Sequence, residues 1–107
     1  MNNNNKNTYN IKKLIPVVTY SNVDIDKYKI YEGNKGKSGV YRLNNLVTGK
    51  CYVGSSVHLS RRFGAYYSLK AIKRVLNSGN SALLKALLKY GYSNFSLDIL
   101  EYCDKVY

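Results

Sequence analysis

The chain has 107 residues, of which 17 are Lys or Arg and 6 are Asp or Glu, so its formal net charge is +11. This length allows one domain with a modest core, and no apolar run approaches the roughly 20 residues that span a bilayer. The two cysteines, Cys51 and Cys103, are too few and too far apart for a disulfide scaffold or a zinc site.

The positive charge is unevenly distributed along the chain. No acidic residue occurs between Glu32 and Asp98, while lysines and arginines recur throughout that stretch. A surface built from it is electropositive nearly all round and attracts polyphosphate through counterion release. We favour nucleic acid over a membrane as the partner, because no basic amphipathic face carries bulky apolar anchors.

The first third of the chain is predicted to be an extension, residues 1–37. Residues 1 to about 13 are Asn-rich and polar, which predicts disorder. Residues 15–20 are β-prone, but Pro16 allows at most an edge strand. A short helix is predicted over residues 23–32.

A compact domain is predicted to begin at residue 38 and to include the rest of the chain, 38–107. Two β-prone runs, 39–44 and 50–54, are joined by a loop that contains a glycine, which predicts an antiparallel hairpin. Ser55 or Ser56 then offers an oxygen that can cap the start of a helix, whose apolar spacing continues to about residue 69.

The second half of this domain is predicted to contain a short helix over 71–76, a longer helix and a strand. Ser81 is placed to cap the longer helix, and Gly91 lies where a C-terminal cap glycine belongs. Residues 94–101 alternate between apolar and polar, as a half-buried strand does. The sum is an α+β fold, a small three-stranded antiparallel sheet flanked by helices.

Two tripeptides on the hairpin carry the most specific signal. They are Gly39-Val40-Tyr41 and Tyr52-Val53-Gly54, and Arg62 follows in the predicted helix. This ordered set resembles the GIY-YIG nuclease family, with Val in place of Ile in both tripeptides. The resemblance implies metal-assisted hydrolysis of a phosphodiester bond in DNA.

The resemblance assigns catalytic roles to Tyr41, Tyr52 and Arg62. Tyr41 would act as general base or position the attacking water, and Tyr52 would contact the scissile phosphate or that water. The Arg62 guanidinium would bind the phosphate and stabilise the transition state. If this is correct, the three side chains converge to within about 3 Å of a common oxygen.

The resemblance also implies supporting positions and a DNA surface. Asn80 stands near a position where the family often has His, and Tyr66 lies one helical turn after the arginine. The supporting residues are Gly39, Gly54, Tyr66 and Asn80. The candidate DNA contacts are Arg42, Lys50, Arg61, Lys70, Lys73 and Arg74.

A divalent metal ion, Mg²⁺, is the cofactor that the resemblance implies. The family's metal-binding Glu lies in a helix after the third strand, and the chain ends at Tyr107, before such a helix. The domain is therefore expected to be incomplete at its C-terminus, and the metal ligand is unknown. Glu101 is a candidate to replace the family's metal-binding Glu, although a carboxylate at such a position more often caps a helix or forms a structural pair.

Within this family, the chain resembles the intron-encoded homing endonucleases of fungal mitochondria. This resemblance implies a mitochondrial, organelle-encoded monomer that needs no targeting peptide, with a further C-terminal DNA-binding domain that is absent here. Two alternatives stay open. One is a catalytically incomplete nucleic-acid-binding module, a truncated or decayed nuclease. The other is a small basic RNA-binding protein whose tyrosines stack on bases.

Overall fold

The computed structural model describes residues 15–78 and 81–104, so the predicted disorder of residues 1 to 13 lies outside the described part. The fold is α+β, and its strands are antiparallel. Within the described residues the strand order is β1-β4-β2-β3. The strands are β1 Val18–Tyr20, β2 Ser38–Asn45, β3 Cys51–Ser56 and β4 Phe95–Cys103.

The described sheet has four strands, which corrects the prediction of three. The additional strand is β1, in which Val18 pairs with Ile99 of β4. The amide of Val17 also donates to the carbonyl of Ile99 at 2.8 Å. β1 is an edge strand, as the β-prone run with Pro16 allows, but its place beside β4 does not follow from its own sequence, because the free side of β4 supplies its hydrogen-bond partners.

The helices cover one face of this sheet and connect its strands. The first begins at Lys27 and not at residue 23, and it is preceded by a turn in which the side chain of Asn22 accepts hydrogen bonds from the amides of Asp24 and Ile25. The helices are α1 Lys27–Gly33, α2 Leu59–Tyr67, α3 Leu69–Ser78 and α4 Ala82–Tyr90, with a 3₁₀ turn over Tyr92–Asn94.

The predicted caps are right for one helix and wrong for another. Ser81 accepts a hydrogen bond from the amide of Leu84 at 3.0 Å, and Gly91 ends α4 with a φ of +89°. Ser55 and Ser56, however, belong to β3 because the strand continues through them. The residue before α2 is His58, which makes no side-chain capping bond.

The core lies between the sheet and the helices. Alternate residues of β2 and β4 point to the same side and meet side chains of α1, α2 and α4. Each such burial contributes about 1.5–3 kcal/mol relative to exposure. The core residues most relevant to the site are Tyr41, Leu43, Leu59, Phe63, Leu84, Leu87, Phe95, Leu97 and Ile99.

Candidate active site

The hairpin of β2 and β3 places two of the predicted catalytic residues on one face of the sheet. Tyr41 pairs with Gly54, and Leu43 pairs with Tyr52. Cross-strand partners share a face, so Tyr41 and Tyr52 both point toward the helices. The two tripeptides therefore meet across the hairpin, as their spacing predicts.

Gly54 makes room for the Tyr41 ring. A Cβ atom at position 54 would lie 2.7 Å from the Tyr41 hydroxyl oxygen and 2.8 Å from its Cζ atom. On its other side the ring meets Phe63 edge-on, with centroids 4.9 Å apart and an interplanar angle of 84°. Tyr41 is only 3% exposed, so the ring cannot move aside to accept a larger residue at position 54.

Helix α2 brings Arg62 to the Tyr41 hydroxyl. Leu59 is fully buried at the start of α2, and its amide donates to the carbonyl of Lys37 at 3.0 Å. Three residues later, Nη1 of Arg62 donates to the hydroxyl oxygen of Tyr41 and to the carbonyl of Ser55, both at 3.4 Å. The bond to Tyr41 raises the pKa of Arg62, against a smaller opposing effect of burial.

Tyr66, one turn after Arg62, completes a three-residue cluster. Its hydroxyl lies 2.8 Å from the hydroxyl of Tyr41. Burial, and then the hydrogen bond to Tyr41, raises the pKa of Tyr66 well above its usual range. Tyr66 is therefore a neutral phenol at any physiological pH, able to accept one proton while it donates another.

Arg62 borders a cleft of about 470 Å³ at the end of the sheet where β3 and β4 end and β2 begins. The side chain of Arg62 is exposed, while Tyr41 lies buried behind it. A phosphate in this cleft would meet the guanidinium first. The lining residues are Ser38, Gly39, Val40, Ser55, Ser56, Val57, Arg62, Cys103 and Asp104.

Tyr52 lies beside the cluster and not within it. It shares the sheet face of Tyr41, and the ammonium group of Lys50 lies 5.3 Å from its ring centroid, within the distance of about 6 Å for a cation–π contact. Within residues 15–78 and 81–104 its hydroxyl makes no hydrogen bond. The structure thus brings Tyr41, Arg62 and Tyr66 together and leaves Tyr52 outside the cluster, so the predicted convergence of Tyr41, Tyr52 and Arg62 is seen only for Tyr41 and Arg62.

The supporting glycines have a steric role. A Cβ at Gly39 would lie 2.2 Å from the carbonyl oxygen of Glu101, so β2 and β4 could not approach each other with a side chain there. The pairing shifts register between Val40 and Tyr41, a bulge of the kind often found beside functional sites. Asn80, the remaining supporting residue, lies outside the described residues.

Arg42 is the one candidate DNA contact that the structure places inside the protein. It is 5% exposed, and its Nη2 atom lies 2.7 Å from a carboxylate oxygen of Asp98. Asn44 and Thr19 donate further hydrogen bonds to the same carboxylate. We therefore withdraw Arg42 from the predicted DNA contacts. The other candidates, Lys50, Arg61, Lys70, Lys73 and Arg74, are all exposed.

The described residues do not by themselves form a metal site. No group of three or more His, Cys, Asp or Glu side chains occurs among them. Glu101 pairs with Val40 and so lies on the sheet face opposite Tyr41, which removes it as a substitute ligand for this site. Asp104 is the one carboxylate among the described residues that line the cleft with Arg62.

Sequence reasoning missed two features of the cleft. The carbonyl of Ser55 is a second acceptor for Arg62, and Asp104 comes beside the start of β2 because Ser38 pairs with Cys103. To predict them, one would need both the register of the β2–β3 hairpin and the order of the strands in the sheet. Neither follows from the local pattern of one sequence.

A comparison with protein families agrees with this geometry. The model of the GIY-YIG catalytic domain matches residues 37–106, which include β2, β3, α2 and the Tyr41–Arg62–Tyr66 cluster. No solved structure matches the chain. Among the described helices, none has the length and apolar character that crossing a bilayer requires.

Proposed function

The chain belongs to the GIY-YIG family, and we propose that it is a metal-dependent DNA endonuclease of the intron-homing type. The family's nuclease domain implies that DNA is the substrate and phosphodiester hydrolysis the reaction. The observation that supports this best is the hydrogen-bonded cluster of Arg62, Tyr41 and Tyr66 at the border of a cleft. It combines a cation with two phenols, in a chain whose charge is +11.

Arg62 is the phosphate-binding group in this proposal. Its guanidinium is exposed in the cleft and held by two long hydrogen bonds of 3.4 Å. A phosphate offers shorter, charge-assisted bonds in the bidentate geometry that a guanidinium prefers. Both bonds are made by Nη1, so the other guanidinium nitrogens can bind a phosphate while Arg62 stays beside Tyr41, with its charge where the transition state becomes more negative.

Tyr41 would then take the proton of the attacking water. As its oxygen accepts that proton, Tyr41 passes its own hydroxyl proton to the Tyr66 oxygen, 2.8 Å away, and Tyr66 releases its proton to solvent. Each tyrosine ends the step neutral, so no phenolate needs to persist. Tyr52, on the same face, would contact the substrate rather than join this relay.

We propose Mg²⁺ as the cofactor, on the basis of the family. A divalent ion stabilises charge on the leaving oxygen and is commonly held by one or two carboxylates together with substrate phosphates. Asp104, the one carboxylate among the described residues of the cleft, is the residue that would hold the ion beside a bound phosphate, and none of the steps above passes through the ion.

The homing type, a mitochondrial location, a monomeric state and a further DNA-binding domain are proposals that extend the resemblance. The exposed arginines and lysines of α2 and α3 would follow the DNA backbone. Sequence specificity would then come from outside the described residues, because phosphate contacts position a protein without reading bases.

A second candidate is a nucleic-acid-binding module that does not cleave. The absence of an acidic cluster from the described residues favours it, because most metal nucleases need carboxylate ligands. Its basic surface would be the same, so binding alone does not distinguish the two candidates.

Plasmid cleavage distinguishes them. Supercoiled DNA is incubated with the chain at low salt in Mg²⁺, in Mn²⁺ and in EDTA, and DNA binding is measured in parallel. The endonuclease predicts nicked or linear DNA with either metal and none in EDTA. Salt-sensitive binding without cleavage in any metal would support the second candidate and contradict the first.

A further inference from the structure

Helix α2 presents two different stripes of side chains. Arg62 and Tyr66 are one turn apart and face Tyr41, whereas Ser60 and Tyr67 are two turns apart and face α1. The second stripe takes no part in the chemistry proposed above. Its partners precede residue 37, where the family match begins.

Two short hydrogen bonds join this second stripe to the residues before the family domain. The Ser60 hydroxyl donates to the carbonyl of Tyr31, and the Tyr67 hydroxyl donates to the carbonyl of Val23, both at 2.6 Å. Ser60 and Val23 are buried, at 8% and 1% exposed. We call these two hydrogen bonds the brace.

The Tyr67 ring makes two further contacts. It stacks on Tyr92 with centroids 5.4 Å apart, and the ammonium group of Lys27 lies 4.9 Å from its centroid. Burial raises the pKa of Tyr67 well above its usual range, so the hydroxyl remains a donor at every physiological pH. The brace is therefore a fixed contact and not a pH-dependent one.

The contact between α1 and α2 is packed at its base and open on its outer side, since Ile30 and Phe63 are buried in the core while a groove lies above them. This groove of about 560 Å³ lies between the two helices, bordered by Ile25, Tyr28, Phe63, Gly64 and Tyr67. A partly hollow contact between two helices tolerates rotation or sliding more easily than a closely packed one does. The directional bonds of the brace add to the buried contacts of Leu59 and Phe63 and restrict movement of α2 along and around its axis.

We propose that Ser60 and Tyr67 are positioning residues, which hold α2 so that Arg62 reaches Tyr41. The residues before the family domain thereby take part in the active site, although they contribute no side chain to it. The effect on cleavage rests on the proposed function, whereas the effect on the position of Arg62 does not.

The position of Arg62 leaves little tolerance for movement. Its bonds to Tyr41 and Ser55 are 3.4 Å long, near the upper limit for a hydrogen bond. A slide of one residue along a helix is about 1.5 Å, which would break both. A misplacement of about 1 Å can cost on the order of 100-fold in rate.

The test removes the brace hydroxyls and nothing else. The variants are Ser60→Ala, Tyr67→Phe and the double variant, and Ser60→Thr restores the hydroxyl at position 60. Tyr28→Phe is the matched control, since it removes an exposed hydroxyl of α1 that has no hydrogen-bond partner among the described residues. Thermal melting identifies a temperature at which all the variants are folded, and the comparison is made at that temperature. If the double variant is unfolded at every temperature, the same comparison is made with the two single variants.

The first readout is independent of activity. The ¹⁵N–¹H signal of the Arg62 side chain, identified by its loss in Arg62→Lys, reports whether the guanidinium is held. We expect a distinct signal in the wild type, Tyr28→Phe and Ser60→Thr, and its collapse into the solvent-exposed arginine signals in the double variant. An unchanged Arg62 signal in the folded double variant overturns the proposal.

The second readout is single-turnover cleavage. We expect roughly a 10- to 100-fold lower rate constant for the double variant, with a much smaller change in the Kd for DNA because every basic residue is retained. A loss that merely follows the unfolded fraction, or an equal loss in Tyr28→Phe, also overturns the proposal. If the wild type does not cleave but the Arg62 signal behaves as expected, the proposed function fails and the positioning role stands.

Discussion

Gly54 and Tyr41 face each other across β2 and β3, and a Cβ on the glycine would lie 2.7 Å from the tyrosine hydroxyl oxygen. Real Cβ atoms do not come so close to another atom. The second tripeptide therefore needs glycine at position 54 to leave room for Tyr41 of the first tripeptide. The pair explains why two motifs about ten residues apart form one structural unit, with a glycine from one strand and the candidate catalytic tyrosine from the other.

A pair of glycine substitutions tests this relationship. Gly54→Ala should destabilise the protein by about 1–3 kcal/mol through overpacking and should abolish cleavage by displacing Tyr41. Gly64→Ala, in α2, should stabilise it by roughly 0.5–1 kcal/mol, because a Cβ there meets nothing within 4 Å. Thermal melting measures both, and a Gly54→Ala variant as stable as the wild type would show that the Tyr41 ring is free to move.

The Tyr41–Tyr66 hydrogen bond predicts coupled kinetics. Tyr41→Phe should lower the cleavage rate about 100-fold or more, and Tyr66→Phe should lower it as well because the relay loses its acceptor. The double variant should be no slower than Tyr41→Phe alone, since residues that act as a unit are not additive. Tyr90→Phe is the control, since it removes a phenol hydroxyl outside the cluster. If the effects of Tyr41→Phe and Tyr66→Phe on the free energy of activation were strictly additive in the double variant, this would argue against a relay.

The buried pair of Arg42 and Asp98 should govern stability in acid. Burial would raise the pKa of Asp98, but hydrogen bonds from Asn44, Arg42 and Thr19 outweigh it and lower the pKa below its ordinary value of 3.8. A carboxyl group whose pKa is lowered in the folded state stabilises the fold at pH values above its ordinary pKa. This stabilisation is lost as the pH falls from that value through the lowered pKa. Denaturant melts from pH 7 to pH 2 should therefore show a drop in the free energy of unfolding below about pH 4.

Substitution of Asp98 checks the same pair at neutral pH. Asp98→Asn should cost about 3–5 kcal/mol, because the buried guanidinium of Arg42 loses its carboxylate. It should also flatten the acid limb of the pH profile. Glu101→Gln, which changes an exposed carboxylate on the same strand, should stay within about 0.5 kcal/mol of the wild type. Equal effects at positions 98 and 101 would rule out a special role for the buried pair.

The exposed basic residues of α3 predict the salt dependence of DNA binding. Arg74→Ala should weaken binding for all sequences alike and reduce the slope of log K against log salt by about 1. Lys35→Ala also removes one positive charge, but Lys35 lies just after α1 and pairs with Glu32 at 3.3 Å. For Lys35→Ala, the slope of log K against log salt should therefore equal that of the wild type. Fluorescence anisotropy at several salt concentrations measures both, and identical slopes would exclude α3 as the DNA-binding face.

The local features of this fold were predictable and the long-range ones were not. The hairpin follows from two β-prone runs around a glycine turn, and α4 follows from Ser81, its leucines and Gly91. The place of β1 depends on the free side of β4, which is distant in sequence: Thr19 of β1 and its hydrogen-bond partner Asp98 of β4 are 79 residues apart. No local pattern carries that information, so the sheet was predicted with one strand too few.

The same division holds for the candidate site. Tyr41, Arg62 and Tyr66 were predictable because they lie on one hairpin and the helix that follows it. Arg42 was misassigned to the DNA surface, because its burial depends on Asp98, a partner 56 residues later. Ser55 and Ser56 were misassigned as caps, because serine is a good cap and only the pairing with β2 shows that the strand continues through them.

The most direct test of the central claim compares Arg62→Ala with Arg61→Ala in single-turnover plasmid cleavage with Mg²⁺. Both variants remove one positive charge from neighbouring exposed positions of α2, but Arg62 alone of the two contacts Tyr41. We predict a loss on the order of 100-fold or more for Arg62→Ala and, at saturating DNA, a rate within about threefold of the wild type for Arg61→Ala. Equal rates for the two variants would contradict a catalytic site built on Arg62 and Tyr41.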